Sequence, residues 1–195
     1  IKQRMELVES KIEESYRGHE RDFKEDYQLV EDVIFSFSGE EFSKAVLRVI
    51  NYARTELILT GYVISNFKVP GMNVRFSELL KRIASNGVRV LIVVSKLPEE
   101  PLDLELWNIR LAICRRIHMK TIVADSYVGI LSTGNLTAAG LGFSKSDIRN
   151  FEAATVIRDK TAKKIVDFVK NLYDGNYCSN CHYKISGKCS GIQRL

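Results

Sequence analysis

The sequence predicts an α/β layer fold, and three observations carry that prediction. Helix–strand units follow one another, the strand candidates are rich in β-branched residues, and amphipathic helical periodicity resumes between them. TELILTGYVIS (55–65) and VRVLIVVS (88–95) are apolar enough for central strands, and each follows a helical segment after a short break. With 195 residues and 45% hydrophobic content, the chain can bury one well-formed core rather than several.

Taken in order, Ile1, Met5, Val8, Ile12 and Tyr16 recur at helical spacing, and Phe23, Tyr27 and Val30 resume the pattern beyond Gly18. This predicts an amphipathic helix over 1–33, either a dimerisation element or a linker lying against its own domain. Ser38 and Glu41 fit a capping box that opens a helix over about 39–53. In NFKVPGMNV, Pro70 and Gly71 mark a loop; a helix then runs from Phe76 to Ala84 and stops at Asn86-Gly87. PEEPLDLELW reads as a second loop or a short helix at a substrate-facing edge. Its Trp107 is either a packing residue or a platform for a base. NIRLAIC is a strand, followed by two more, IHMKTIVAD and SYVGILS, and by a helix NLTAAGL beginning at Asn135. GFSKSDIRN is a polar loop, NFEAATVI a strand, and DKTAKKIVDFVKNLYDG a closing helix. That helix turns Ala162, Ile165, Val166, Val169 and Leu172 to one side and stops at Gly175. The main domain is thus expected over 34–175, with a basic cysteine-containing tail over 176–195.

The chemistry concentrates between Ile117 and Asn135. Strand alternation puts His118 and Lys120 on one face, with Ile117, Met119 and Thr121 on the other. A nucleophile and a cation would then share a pocket with the Thr133 hydroxyl and the Asn135 carboxamide. The expected helix after Asn135 adds free N–H groups and a dipole that favour an anion. Singly, each residue has a plainer reading: a histidine in a strand is usually structural, and Lys, Asp or Asn near a turn is usually solvated or capping. Their joint spacing favours a phosphate site.

That spacing resembles the phospholipase D superfamily, whose motif is H-x-K, four residues, D, six residues, then G-S-x-N. The chain matches at His118, Lys120, Asp125 and Asn135 and departs at Ser132-Thr133, where the family has Gly-Ser; Thr133 keeps the hydroxyl. NFEAATVI is similar to the family's acidic strand, so Glu152 corresponds to the carboxylate that orients the imidazole. The resemblance covers about residues 38–174. It implies a mixed β-sheet flanked by helices on both faces, and a metal-independent phosphodiesterase working through a phosphohistidine at His118. Lys120, Asn135 and Thr133 would stabilise the phosphate charge, and Asp125 would support the local network. Only one motif copy is present, and His19 and His182 have no matching motif, so the resemblance also implies a homodimer that shares one site.

Charge narrows the substrate. Residues 1–32 carry six Lys/Arg against ten Asp/Glu, a net of −4, which leaves +9 of the total +5 on the remainder. Arg115 and Arg116 beside the motif, with Lys145 and Arg149 in the following loop, are candidate phosphate contacts for a nucleic acid. A nuclease is therefore the leading expectation. The alternatives are phospholipid hydrolysis and a non-catalytic phospholipase D-like sensing domain of a transcription regulator, which the acidic helix before EDVIFSFSGEEF resembles. No eighteen-residue apolar run or signal-peptide core occurs, so no stable membrane insertion and a cytoplasmic location are expected. The chain begins with Ile1, as a fragment of a longer protein would.

In the tail, Cys178-x-x-Cys181-His182 and Cys189 leave three readings open: a structural zinc or iron–sulfur site, a disulfide, or uncombined thiols. No cofactor is expected for catalysis itself.

Overall fold

The computed structural model describes residues 33–35, 40–98, 100–106, 108–145 and 150–195. The expected N-terminal amphipathic helix, Ser38, Trp107 and Arg149 lie outside the described residues. Val33–Leu195 forms one compact unit.

Its centre is a mixed eight-stranded sheet. In chain order the strands are β1 (Val33–Phe35), β2 (Glu56–Val63), β5 (Arg89–Lys96), β6 (Ile109–Ile113), β7 (Lys120–Ala124), β8 (Val128–Ser132), β9 (Ala153–Arg158) and β10 (Gln193–Arg194); β3 (Lys68–Val69) and β4 (Val74–Arg75) make a separate hairpin. The spatial order is β1-β9-β8-β7-β2-β5-β6-β10. β2, β5 and β6 run parallel, joined by crossovers, whereas β7, β8 and β9 form an antiparallel meander beside β2. β2 and β5 occupy the middle because their apolar runs can be buried on both faces.

Among the described residues four helices accompany the sheet: α1 (Glu41–Tyr52), α2 (Phe76–Ser85), α3 (Asp159–Tyr173) and the short α4 (His182–Ile185). Ala162, Val166, Val169 and Leu172 of α3 pack on Ile58, Val93, Val123 and Ile157, which alternate along their strands. The intervening residues Leu57, Leu59, Ile92, Ile122 and Ile130 are buried on the other face. There α1 contributes Phe42, Val46, Val49 and Ile50, and α2 contributes Phe76, Leu80 and Ile83. Helices therefore cover both faces of a mixed sheet, as expected.

Three details differ from the sequence expectation. The first helix is capped at Glu40 and starts at Glu41, with no side-chain cap bond at that position. The strand expected from Ile117 begins at Lys120, because pairing with β2 reaches only Thr121 opposite Thr60, and Ile117 N–H turns back to Cys114 O at 3.0 Å. NLTAAGL is not a helix: Leu136 makes an isolated bridge to Ile64 and the following residues form turns. Two close backbone approaches explain this. A Cβ on Gly134 would stand 1.9 Å from Gly140 O, and a Cβ on Gly140 would stand 2.4 Å from Asn135 O. The segment folds back on itself, so no helix dipole points from Asn135.

Candidate active site

The C-terminal ends of β2 and β8 and the N-terminal ends of β7 and β9 meet at one edge of the sheet, a consequence of the antiparallel meander. Lys120 opens β7 opposite Ser132, and Ser132 pairs in turn with Ala154. The same edge gathers His118, Lys120, Thr133, Asn135 and Glu152, but not Asp125.

Lys120 Nζ lies 3.1 Å from His118 Nδ1 and 3.2 Å from Nε2. The imidazole is exposed, whereas Lys120 is only 9% exposed. Burial holds the Lys120 ammonium below the ordinary lysine range, and the nearby negative charge of Glu152 opposes that shift. Thr133 Oγ1 donates to Glu152 Oε2, and Asn150 Nδ2 donates to Glu152 Oε1 at 3.2 Å. Thr133 is fixed by reciprocal contacts with Ala153, whose N–H donates to Oγ1 at 3.1 Å and whose carbonyl accepts Thr133 N–H at 3.0 Å. Ser132 directs its hydroxyl to Gly134 O at 3.2 Å.

Asn135 is held from the β2 side. Its Oδ1 accepts the Tyr62 N–H at 3.0 Å, which leaves the amide NH₂ as the donor side of the carboxamide. The Tyr62 ring meets the His118 ring edge-on, with centroids 6.0 Å apart. Tyr62 thus bridges Asn135 and His118, a role without a local sequence signal because it depends on the pairing of β2 with β7. Gly134 and Gly140 likewise shape the site through a close backbone approach that leaves no local sequence signal.

Asp125 stands apart. It occupies the β7–β8 turn, about 17 Å from the start of β7 at strand rise. Its carboxylate accepts the backbone N–H groups of Arg54, Thr55 and Glu56 and the Thr55 hydroxyl, all within 3.1 Å. Among the candidate phosphate contacts, Arg115 donates to Lys188 O at 3.1 Å and Arg116 Nη1 lies 3.7 Å from Cys181 Sγ. Both guanidinium groups are engaged by the tail. Lys145 is exposed.

A cavity of about 470 Å³ adjoins the imidazole, lined by His118, Arg116 and an apolar wall of Ile117, Met119, Phe168 and Leu172. No helix among the described residues is long and apolar enough to cross a membrane. In the tail, Cys178, Cys181 and Cys189 are half-buried free thiols, while His182 is exposed at the start of α4.

No protein-family profile matches the chain, and no curated protein matches it. Solved structures do. A phospholipase D family member, Nuc from Salmonella typhimurium, is 22% identical with a TM-score of 0.52, over 73% of this chain and 92% of that one. NucT from Helicobacter pylori is 14% identical with a TM-score of 0.50, over 73% of this chain and 94% of that one. Polyphosphate kinase from Porphyromonas gingivalis is 15% identical with a TM-score of 0.53, over 85% of this chain but 24% of that one. The sheet order, the helices on both faces and these likenesses agree: the chain has the phospholipase D fold.

Proposed function

We propose that the chain is a metal-independent phosphodiesterase, acting as a nuclease on DNA or RNA through a phosphohistidine intermediate. The observation that carries this reading is the contact of a buried lysine with both ring nitrogens of an exposed histidine, at an edge shared with Thr133, Asn135 and Glu152. An exposed imidazole can reach phosphorus, and a desolvated ammonium beside it stabilises non-bridging oxygens more strongly than a solvated one.

In this mechanism a His118 ring nitrogen attacks phosphorus and the P–O bond to the leaving oxygen breaks. The leaving oxygen takes a proton from a second imidazole. Water then attacks the phosphohistidine, giving up its proton to that second imidazole, and His118 is released. Lys120 and the Asn135 amide hold the phosphate oxygens, with Thr133 assisting. Glu152, steadied by Thr133 and Asn150, supplies the negative charge that orients the imidazole. The second imidazole is His118 of another copy, so the active species is a homodimer with a shared site. The basic charge of the chain outside residues 1–32 favours a polyanionic substrate.

The apolar wall of the cavity beside His118 favours one second reading, hydrolysis of a phospholipid whose glyceryl or acyl part would lie against Phe168 and Leu172. Cleavage of labelled single- and double-stranded DNA, RNA and phosphatidylcholine vesicles, with EDTA and no added metal, separates the readings. Nucleic acid should be cut, and His118→Ala should reduce the rate by at least roughly a thousandfold. Full activity in that variant, or an active species that sediments as a monomer, would refute the mechanism. Selective vesicle hydrolysis would replace the nuclease reading.

A further inference from the structure

A second constellation lies in the tail, and the phosphate chemistry does not use it. Residues 176–195 bury no side chain fully; the inward, half-buried positions are Cys178, Cys181, Cys189, Gly191 and Ile192. So little apolar burial supplies little folding free energy. The segment nevertheless forms defined turns, with Cys181 N–H to Cys178 O at 3.2 Å and Cys189 N–H to Tyr183 O at 2.9 Å. It docks on the sheet through β10, through Arg115 to Lys188 O, and through Arg116 to Cys181.

Docking brings the tail's sulfurs to the remaining cysteine. Cys114 follows β6 directly, and the register Gln193↔Ile113 places the tail's final strand alongside it. Cys114, Cys178 and Cys181 line one cavity. A Cβ on Gly191 would stand 3.9 Å from Cys178 Sγ, while the Gly191 N–H donates to Cys189 Sγ at 3.3 Å, so Cys178 and Cys189 flank the same glycine. The loops that carry the other two cysteines are held by their own backbone, with Ile117 N–H donating to Cys114 O at 3.0 Å and Lys184 N–H to Cys181 O at 2.9 Å. Thiolate is the form that ligates metals.

We propose that Cys114, Cys178, Cys181 and Cys189 form a four-thiolate site for one zinc ion, clamping the tail to the end of β6. Four sulfurs in tetrahedral array suit zinc among the common divalent ions. His182, the fourth donor offered by the sequence, is exposed and adjacent in the chain to Cys181, where simultaneous ligation is strained; Cys114 takes its place. Among the described residues no three His, Cys, Asp or Glu side chains stand close enough together to hold a metal ion as they are placed. Binding therefore requires the four thiol side chains to move toward one another, with release of their protons. The Arg116 guanidinium beside Cys181 offsets the net negative charge of zinc with four thiolates. The ion is structural: it takes no part in the His118 reaction but anchors the turn that presents the imidazole, because the Cys114 backbone carbonyl accepts the Ile117 N–H at 3.0 Å.

The test uses the full chain purified without chelators and needs no substrate. Elemental analysis should find one zinc per chain, and cobalt substitution should give a sulfur-to-cobalt charge-transfer intensity equal to four thiolates. Cys114→Ser should weaken zinc binding at least a hundredfold in competition with a chromophoric chelator, and His182→Ala should leave it within twofold. Cys189→Ser, at a tail position remote from the core, should show the same loss and guards against misfolding of the Cys114 variant. A native chain without zinc, disulfides among these cysteines, a three-thiolate cobalt spectrum, or loss of zinc in His182→Ala would each overturn the proposal.

Discussion

Asp125 is matched by the phosphate-site motif, yet its contacts predict a role in stability. Five hydrogen bonds from four donors converge on it, three of those donors being backbone N–H groups at the start of β2. It also sits at φ 53° beside Ser126 at φ 56°, the paired left-handed conformations of a tight hairpin turn. Two substitutions separate these contributions. Asp125→Asn keeps a short polar side chain that tolerates positive φ and one acceptor oxygen, but sets an NH₂ against amide donors. Hydrogen bonds to charged groups contribute about 1.5–3 kcal/mol each, and half-exposure lets water replace part of that, so the expected loss is about 1–2 kcal/mol. Asp125→Ala removes every acceptor and adds about 1 kcal/mol of left-handed strain, for a total of about 3 kcal/mol. In urea unfolding this lowers the midpoint by roughly 1–2 M for Asp125→Ala and by about half as much for Asp125→Asn. Folded variants should keep kcat within about threefold, since the turn is remote from His118. Unchanged midpoints, or a stable Asp125→Asn that has lost activity a hundredfold, would refute the structural assignment.

Other perturbations probe the site edge. Gly134→Ala forces a methyl to within 1.9 Å of Gly140 O, so the loop carrying Asn135 must move; the expected result is a loss above about 3 kcal/mol in denaturant unfolding, together with loss of cleavage. Lys120 is cationic below its burial-depressed pKa and loses its charge as pH rises through it. The kcat/KM profile should therefore fall on the alkaline side before the ordinary lysine range, and Lys120→Arg, which keeps its charge, should lack that limb even if its overall rate is lower. Thr133→Val removes the hydroxyl that donates to the Glu152 carboxylate and should lower kcat about tenfold, the equivalent of about 1.4 kcal/mol for one exposed hydrogen bond to a charged group, with little change in urea midpoint.

What the sequence could show follows from how local each cause is. β2 and β5 were legible because unbroken apolar runs only suit strands buried on both faces. The inward face of α3 was legible because helical periodicity repeats over fifteen residues. NLTAAGL misled because its propensity is helical, while the decisive force is steric and non-local to each residue: Gly134 and Gly140 let two backbones approach where any Cβ would collide. At the site, the two-residue spacing brought His118 and Lys120 together as expected, but by a different route: the strand begins only at Lys120, and His118 meets it from the preceding turn rather than by strand alternation. Tyr62 could not be found that way, since its place beside His118 is set by a strand pairing between positions far apart in sequence.

Arg115, Arg116 and Cys114 show the same limit from the opposite side. Read in sequence, two arginines just before a phosphate motif are natural anion contacts and a cysteine ending a strand is a core residue. In the fold, β10 returns antiparallel to β6 and carries three cysteines with it, so the two arginines meet a carbonyl and a sulfur of the tail. The ligand set proposed above then spans two segments that no linear spacing rule would join. It also gives the short stretch from Cys114 to His118 a double duty: one end is fixed by the tail, and the other presents the imidazole. An exposed histidine on a loop needs such fixing if it is to meet phosphorus at a reproducible angle, because misplacement by about 1 Å can cost about a hundredfold in rate. Under the proposed mechanism the tail would then help to set the position of His118, although none of its atoms need touch the substrate.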